Sequence, residues 1–224
     1  MGSMPGTISP IQACLNSIFV NDPGAVSYPS DWLYKWTAVK GYNIDISVTP
    51  AAVARPSTAE EVSRIVQCAV ASSLKVQARS GGHGYANYCL GQYIHLPKIS
   101  HSNTQFAHPH KGGESGAVVV DMANFQHFSM NRTNWYATFG SGTLLGDLSQ
   151  QLYDNGKRVI AHGTCPQVGT GGHLTVGGLG PLSRLYGTAL DHVEEVEVVL
   201  ANGAITRASA SQNKDIFFVS YCEF

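Results

Sequence analysis

Charge is scarce in this sequence. Asp, Glu, Lys and Arg make up 13 % of its 224 residues, about half the share usual in globular domains. The 14 basic and 15 acidic residues leave a formal net charge of -1, and nothing in that balance steers toward nucleic acid or an anionic membrane. Long hydrophobic runs are missing too. No stretch approaches the ~18 apolar residues of a membrane span, and the opening MGSMPGTISPIQACL has neither the basic nor the apolar region of a secretory signal. The five cysteines, Cys14, Cys68, Cys89, Cys165 and Cys222, include no CxxC pair, which argues against structural zinc. No Walker motif occurs, and no G-x-G-x-x-G.

What is abundant is glycine, 24 residues, against 43 % hydrophobic residues that suffice for a core. The length suits one large domain or two small ones. Much of the glycine falls in two runs. RSGGHGY, residues 79–85, sets His83 among Gly81, Gly82 and Gly84, each able to reach φ > 0 and turn backbone N–H groups toward an anion. The bland alternative is a glycine-rich turn with an incidental histidine. HGTCPQVGTGGHLTVGGLG, residues 162–180, carries seven glycines in nineteen residues, too dense for a simple turn. It reads as a backbone cradle for a diphosphate-containing cofactor in a fold other than Rossmann, or as a structural loop. Cys165 stands in it between Thr164 and Pro166, near His162. It is a buried thiol, a disulfide partner or a nucleophile, and the loop setting favours a functional thiolate. His162 and His173 lack a carboxylate or second cysteine at ligand spacing, so no metal site is expected.

Along the chain, residues 1–45 read as irregular and 50–57 as extended. Thr58-Ala-Glu-Glu61 is a capping box, followed by Val62, Ile65, Val66, Ala69 and Val70 at helical spacing, which predicts a helix over 59–73. A strand over 75–79 then enters the first glycine loop. Strands are expected at 117–122 and near 125 and 135. A helix is expected over 144–156, stopped by Asn155-Gly156, with a strand KRVIAHG after it. Residues 192–209 read as a hairpin turning at Asn202-Gly203. The alternation implies a mixed α/β or α+β fold. Asn131-Arg-Thr133 is an N-glycosylation sequon. Cys14 and Cys68 read as a disulfide that would pin residues 1–45, or as two buried thiols in a reducing compartment. Residues 92–112 hold four of the nine histidines, two prolines and no clear period, unusual for a segment inside a compact domain.

RSGGHGYANY, the run from HGTCPQVGTGGH through GLGPLSRLYGTALDHV, and the VEVVLANG hairpin together resemble the FAD-linked oxidases of the vanillyl-alcohol-oxidase (PCMH-type) superfamily. Within it they are similar to the berberine-bridge-enzyme-like group, and most of all to fungal oligosaccharide oxidases. The resemblance runs from about Cys14 to Phe217, the insert excepted. It implies an α+β PCMH-type FAD-binding domain of two α/β subdomains over 46–217. It implies FAD bonded twice, His83 to the flavin 8α carbon and Cys165 to flavin C6. Around them it implies cofactor contacts from Arg79, Ser80, Gly81, Gly82, Gly84 and Tyr85 in the first loop. From the second loop it implies Val168, Gly169, Gly172, His173, Gly177, Gly178 and Gly180, with Val196 on the hairpin. The Cys14–Cys68 pair matches a disulfide of secreted members, so an extracellular, monomeric protein with an oligosaccharide substrate is implied.

The implied reaction oxidises the anomeric C1–OH of a reducing sugar to a lactone while dioxygen becomes hydrogen peroxide. The base of that reaction lies in the family beyond the region matched here, so no base is named. Removing 92–112 would join YCLG to GESGAVVVDM, close to the family's continuous text. The expectation is that 92–112 and the tail 218–224 are translated intron and that the chain stops before the substrate domain. A flavin-binding piece without turnover, and an oxidase of another alcohol, are the alternatives.

Overall fold

The computed structural model describes residues 8–91 and 115–222. The first elements are α1 (Pro10–Ile18), β1 (Val26–Ser27), β2 (Ala52–Ala54), α2 (Ala59–Ala71), β3 (Val76–Arg79) and β4 (Val118–Asp121). There follow β5 (Phe128–Met130), β6 (Ala137–Phe139), α3 (Leu145–Gly156), α4 (Thr170–Thr175) and α5 (Ser183–Tyr186). The hairpin β7 (Glu195–Val199) and β8 (Ile205–Ser209) and the helix α6 (Lys214–Cys222) complete the described chain. The fold is the mixed α/β arrangement that the alternation predicts. The expectation of a translated insert at 92–112 falls outside the described residues.

One sheet organises the first half, in the order β1-β2-β4-β3. β4 lies parallel between β2 and β3, with Val119 opposite both Val53 and Gln77. A strand covered on both faces should be apolar throughout rather than alternating, and all four residues of β4 are buried. Its period of two deals them to two cores. Val118 and Val120 join Ala52, Ala54, Ile65, Cys68 and Ala69 under α1 and α2. Val119 and Val53 join Tyr34, Ala38, Val39 and Leu90 on the opposite face. β4 ends on Asp121, beside the end of β3 at Arg79, so the sheet delivers the first glycine loop at one edge.

Residues 8–45 are more ordered than expected. Ser9 and Gln12 form a reciprocal capping box, Pro10 opens α1, and Ile11 and Leu15 are buried. Pro and Gly on either side mask the helical period in the sequence. Cys14 on α1 and Cys68 on α2 are joined, with Cα atoms 5.7 Å apart. The Thr58 hydroxyl accepts from the Glu61 N–H and starts α2 as the capping pattern predicts.

α3 ends at Gly156, as expected, with Lys157 as its left-handed C-cap at φ 52°. Gly156 is there for packing, since a Cβ would meet the Trp135 ring 2.6 Å away and Met130 at 2.8 Å. Two further expectations are corrected. KRVIAHG pairs with no described strand, because its polar backbone is engaged by turns and side chains instead. The Arg158 N–H returns to the Leu152 carbonyl at 3.2 Å, and the Gly163 N–H goes to His173. The glycine-dense run is not wholly loop, for it contains α4, and α5 follows just after it. The expected β7–β8 hairpin forms, with Val196 opposite Ala208. Its turn docks on α2, where the Ser63 hydroxyl donates to the Gly203 carbonyl at 2.5 Å.

Candidate cofactor site

The first glycine loop leaves β3 over a buried ion pair. The Arg79 guanidinium lies 2.6 Å from Asp121 Oδ2 and also donates to the Val39 carbonyl. Arg55 joins the same oxygen at 3.2 Å. Both partners of the tighter pair are under 10 % exposed, 8 % for Arg79 and 7 % for Asp121. The Arg79 side chain is thus engaged within the protein, and its contribution is to brace the root of the loop.

Ser80 next ties the two loops together. Its hydroxyl donates to the Ser141 carbonyl at 2.5 Å and accepts from the Gly171 N–H at 3.3 Å. Beside it Gly81 and Gly169 meet backbone to backbone. A Cβ on Gly81 would strike the Gly169 nitrogen and the Gln167 carbonyl, and one on Gly169 would strike the Gly81 nitrogen and Ser80. Glycine at 81 is therefore a matter of approach, and only Gly82 of the three in this loop takes positive φ, at 72°.

The second loop threads between the first and the start of α3. The Leu145 N–H donates to the Val168 carbonyl at 2.9 Å, the Gly146 N–H to the Pro166 carbonyl at 3.0 Å, and the Thr170 N–H to the Thr143 carbonyl at 2.9 Å. Within it Cys165 is exposed and unpaired as a disulfide. Its thiol contacts Gln167 Oε1 at 3.5 Å. His162, its neighbour in sequence, turns elsewhere. Its ring nitrogens meet Ser149 Oγ at 2.8 Å and the Gly163 carbonyl at 2.6 Å.

His173 closes a packed node behind the loop. Its Nε2 accepts from the Gly163 N–H at 2.9 Å, which leaves Nδ1 to carry the proton of the neutral ring. Burial, then the nearby His162, pushes its pKa below the usual histidine range. Gly178, at φ 78°, lies against this ring and Ala189, and Gly180 lies against the His162 carbonyl. Gly177 takes φ 118° with open space beyond. Val196 is half-buried on β7.

Gly84 and Gly172 are different. Neither has positive φ, and a Cβ on either would meet nothing within 4 Å. Neither backbone conformation nor the chain's own packing calls for glycine there. Two bare backbone stretches on apposed loops fit a ligand that packs flat against them, as the residues expected to hold FAD require.

His83 is half-buried and Tyr85 is 78 % exposed. The imidazole stacks on Tyr42, with ring centroids 4.3 Å apart and planes at 34°, and Tyr42 in turn meets Tyr85 at 5.6 Å. The segment holding Tyr42 is fastened by Asn87, which is 1 % exposed. Asn87 Nδ2 donates to the Asn43 and Ile46 carbonyls, both at 2.8 Å, and its Oδ1 accepts from the Asn43 N–H at 3.2 Å. Tyr42, Asn43 and Asn87 were not among the residues expected from sequence. The one available signal was an asparagine just past a glycine loop, a residue type that tolerates the left-handed φ of 54° found at Asn87.

Two apposed glycine loops, one carrying a histidine and the other an exposed cysteine, make up the candidate cofactor site. The FAD binding domain family matches this chain over residues 50–97 and 99–209, and the chain belongs to that family. It is 42 % identical over 210 residues to the FAD-linked oxidoreductase sorD of Penicillium rubens, covering 94 % of this chain and 40 % of that protein. The xylooligosaccharide oxidase of Myceliophthora thermophila C1, solved with xylobiose, superposes with a TM-score of 0.80 at 33 % identity, over 95 % of this chain and 40 % of its own. Glucooligosaccharide oxidase of Acremonium strictum, described as carrying a 6-S-cysteinyl, 8α-N1-histidyl FAD, superposes with a TM-score of 0.78 at 28 % identity, over 95 % and 39 %. The chain thus spans about two-fifths of the length of the relatives it matches.

Proposed function

We propose that this chain is the FAD-holding part of an oxidase that converts the anomeric C1–OH of an oligosaccharide to a lactone, with FAD bonded to both His83 and Cys165. The observation that carries the reading is the contact of Gly81 with Gly169, which brings the histidine loop and the cysteine loop to one place. The oligosaccharide oxidases among its relatives support the substrate class. Bound FAD supplies the redox chemistry, taking a hydride from the substrate and passing two electrons to dioxygen.

The chain's own residues hold and orient. Gly84 and Gly172 offer bare backbone, the Ser80 bridge fixes the spacing of the two loops, and the exposed Cys165 sulfur and the His83 imidazole supply the nucleophiles. Gly82, Gly177, Gly178 and Gly180 shape the turns, Arg79 braces the first loop, and Val168, His173, Tyr85 and Val196 line or back the site. His83 and Cys165 would hold the ring of the cofactor from its two sides, the imidazole nitrogen toward the 8α carbon and the sulfur toward C6. The domain boundaries accepted with this reading are 1–45, 46–217 and 218–224. The Cys14–Cys68 disulfide and the exposed sequon at Asn131 support a secreted, glycosylated protein.

A second reading, oxidation of a different alcohol, draws on the 42 % identity to an FAD-linked oxidoreductase that is not named for a sugar. Peroxide production from xylo-, gluco- and chito-oligosaccharides separates the two. The tethers are tested by acid precipitation. His83→Ala and Cys165→Ala singly should each retain yellow, acid-stable flavin, and the double variant should release all of it. Complete release from either single variant sinks the two-bond assignment.

A further inference from the structure

We infer that Tyr42 is a positioning residue that sets the plane of the His83 imidazole for bonding to the cofactor. This rests on the reading of His83 as a tether. Among the described residues no hydrogen bond is made to the His83 ring, so neither nitrogen is committed and neither fixes its orientation. The contact that does so is the Tyr42 ring, at 4.3 Å and 34°. An imidazole left to rotate about its side-chain bonds presents its nitrogen to a fixed carbon only part of the time, and orientation of this kind enters the rate directly.

Tyr42 itself is well held. Gly41 before it packs close to the Asn87 amide, 3.0 Å from where its Cβ would be. Asn43 after it makes two bonds with the Asn87 side chain and donates from Nδ2 to the Tyr85 carbonyl at 2.9 Å. Both neighbours of Tyr42 are therefore tied to the loop that carries His83. The fully buried Asn87 amide has every contact directed to this one segment, although the segment adds no strand to the sheet. Meanwhile no hydrogen bond is made by the Tyr42 hydroxyl among the described residues. The ring, and not the hydroxyl, does the positioning.

The test uses the full chain carrying Cys165→Ala, so that only His83 can tether. The apoprotein is given saturating FAD, and acid-stable flavin is followed with time. Quenching of flavin fluorescence reports non-covalent affinity separately. Tyr42→Phe should attach flavin within about 2-fold of the Cys165→Ala parent. Tyr42→Leu and Tyr42→Ala should attach it about 3- to 10-fold more slowly, the factor an aromatic pair contributes, while FAD affinity stays within about 3-fold. The leucine variant keeps apolar bulk, so poor folding of the alanine variant does not decide the matter. Attachment by Tyr42→Leu at the parent rate overturns the inference, as does an equal loss in Tyr42→Phe. If the Cys165→Ala parent itself retains no acid-stable flavin, His83 is not a tether, and the underlying reading falls along with the inference.

Discussion

Asp121 does at residue scale what the sequence hides. It is the last residue of an apolar strand, and its carboxylate receives two guanidiniums from positions 66 and 42 residues away. Removing one partner of a buried pair leaves the other charge without compensation, at about 3–5 kcal/mol. Asp121→Ala should destabilise by that order in urea unfolding and loosen FAD binding, because the Arg79 brace lies under the first loop. His173 carries a pH dependence whose sign follows from its lowered pKa. The unfolded chain takes up the proton first, so stability falls as pH drops through about 6.5. The urea midpoint should therefore fall less between pH 7.5 and 5.5 in His173→Gln than in the parent. His83, Cys165 and the glycines were legible from their neighbours in sequence. Tyr42, Asn87 and Asp121 were not, since each takes its role from a partner about forty or more residues away.

Most elements were legible from local signals, the strands β3 and β4 among them, whereas α1 and the course of KRVIAHG were not. α2 announces itself with a capping box and a helical stripe, and the β7–β8 hairpin with Asn202-Gly203, where Gly203 takes φ 84°. KRVIAHG has the composition of a strand but no partner to pair with. Asn155-Gly156 marks the end of α3 as its composition suggests, and Gly156 also leaves room for the Trp135 ring. α1 buries Ile11 and Leu15 over the sheet and is further secured by the bond between Cys14 and Cys68, 54 residues apart. Replacing both cysteines with serine should cost about 2–4 kcal/mol, read as a lower urea midpoint. The flavin spectrum should not change, because the loss falls on the face of the sheet away from Tyr34 and Val39.

The whole molecule makes a statement about residues 92–112 through their two anchor points. Asn87 binds the Ile46 carbonyl, and the Ser115 hydroxyl accepts from the Thr49 N–H at 3.0 Å. Ile46 and Thr49 are three residues apart, so these anchors lie within about 11 Å along that segment. The chain thus leaves and re-enters in one neighbourhood. Joining Gly91 to Gly113 should yield a protein that melts within a few degrees of the parent and takes up FAD equally well. Aggregation, or loss of flavin uptake, would show that the segment is integral to the fold.

The contact of Gly81 with Gly169 has a consequence in polymer terms. A cofactor bonded on both sides of it closes about eighty residues of chain, from His83 to Cys165, into a covalent ring. The flavin then restrains the unfolded chain as a disulfide does, and the protein that captures it becomes harder to unravel in the same step.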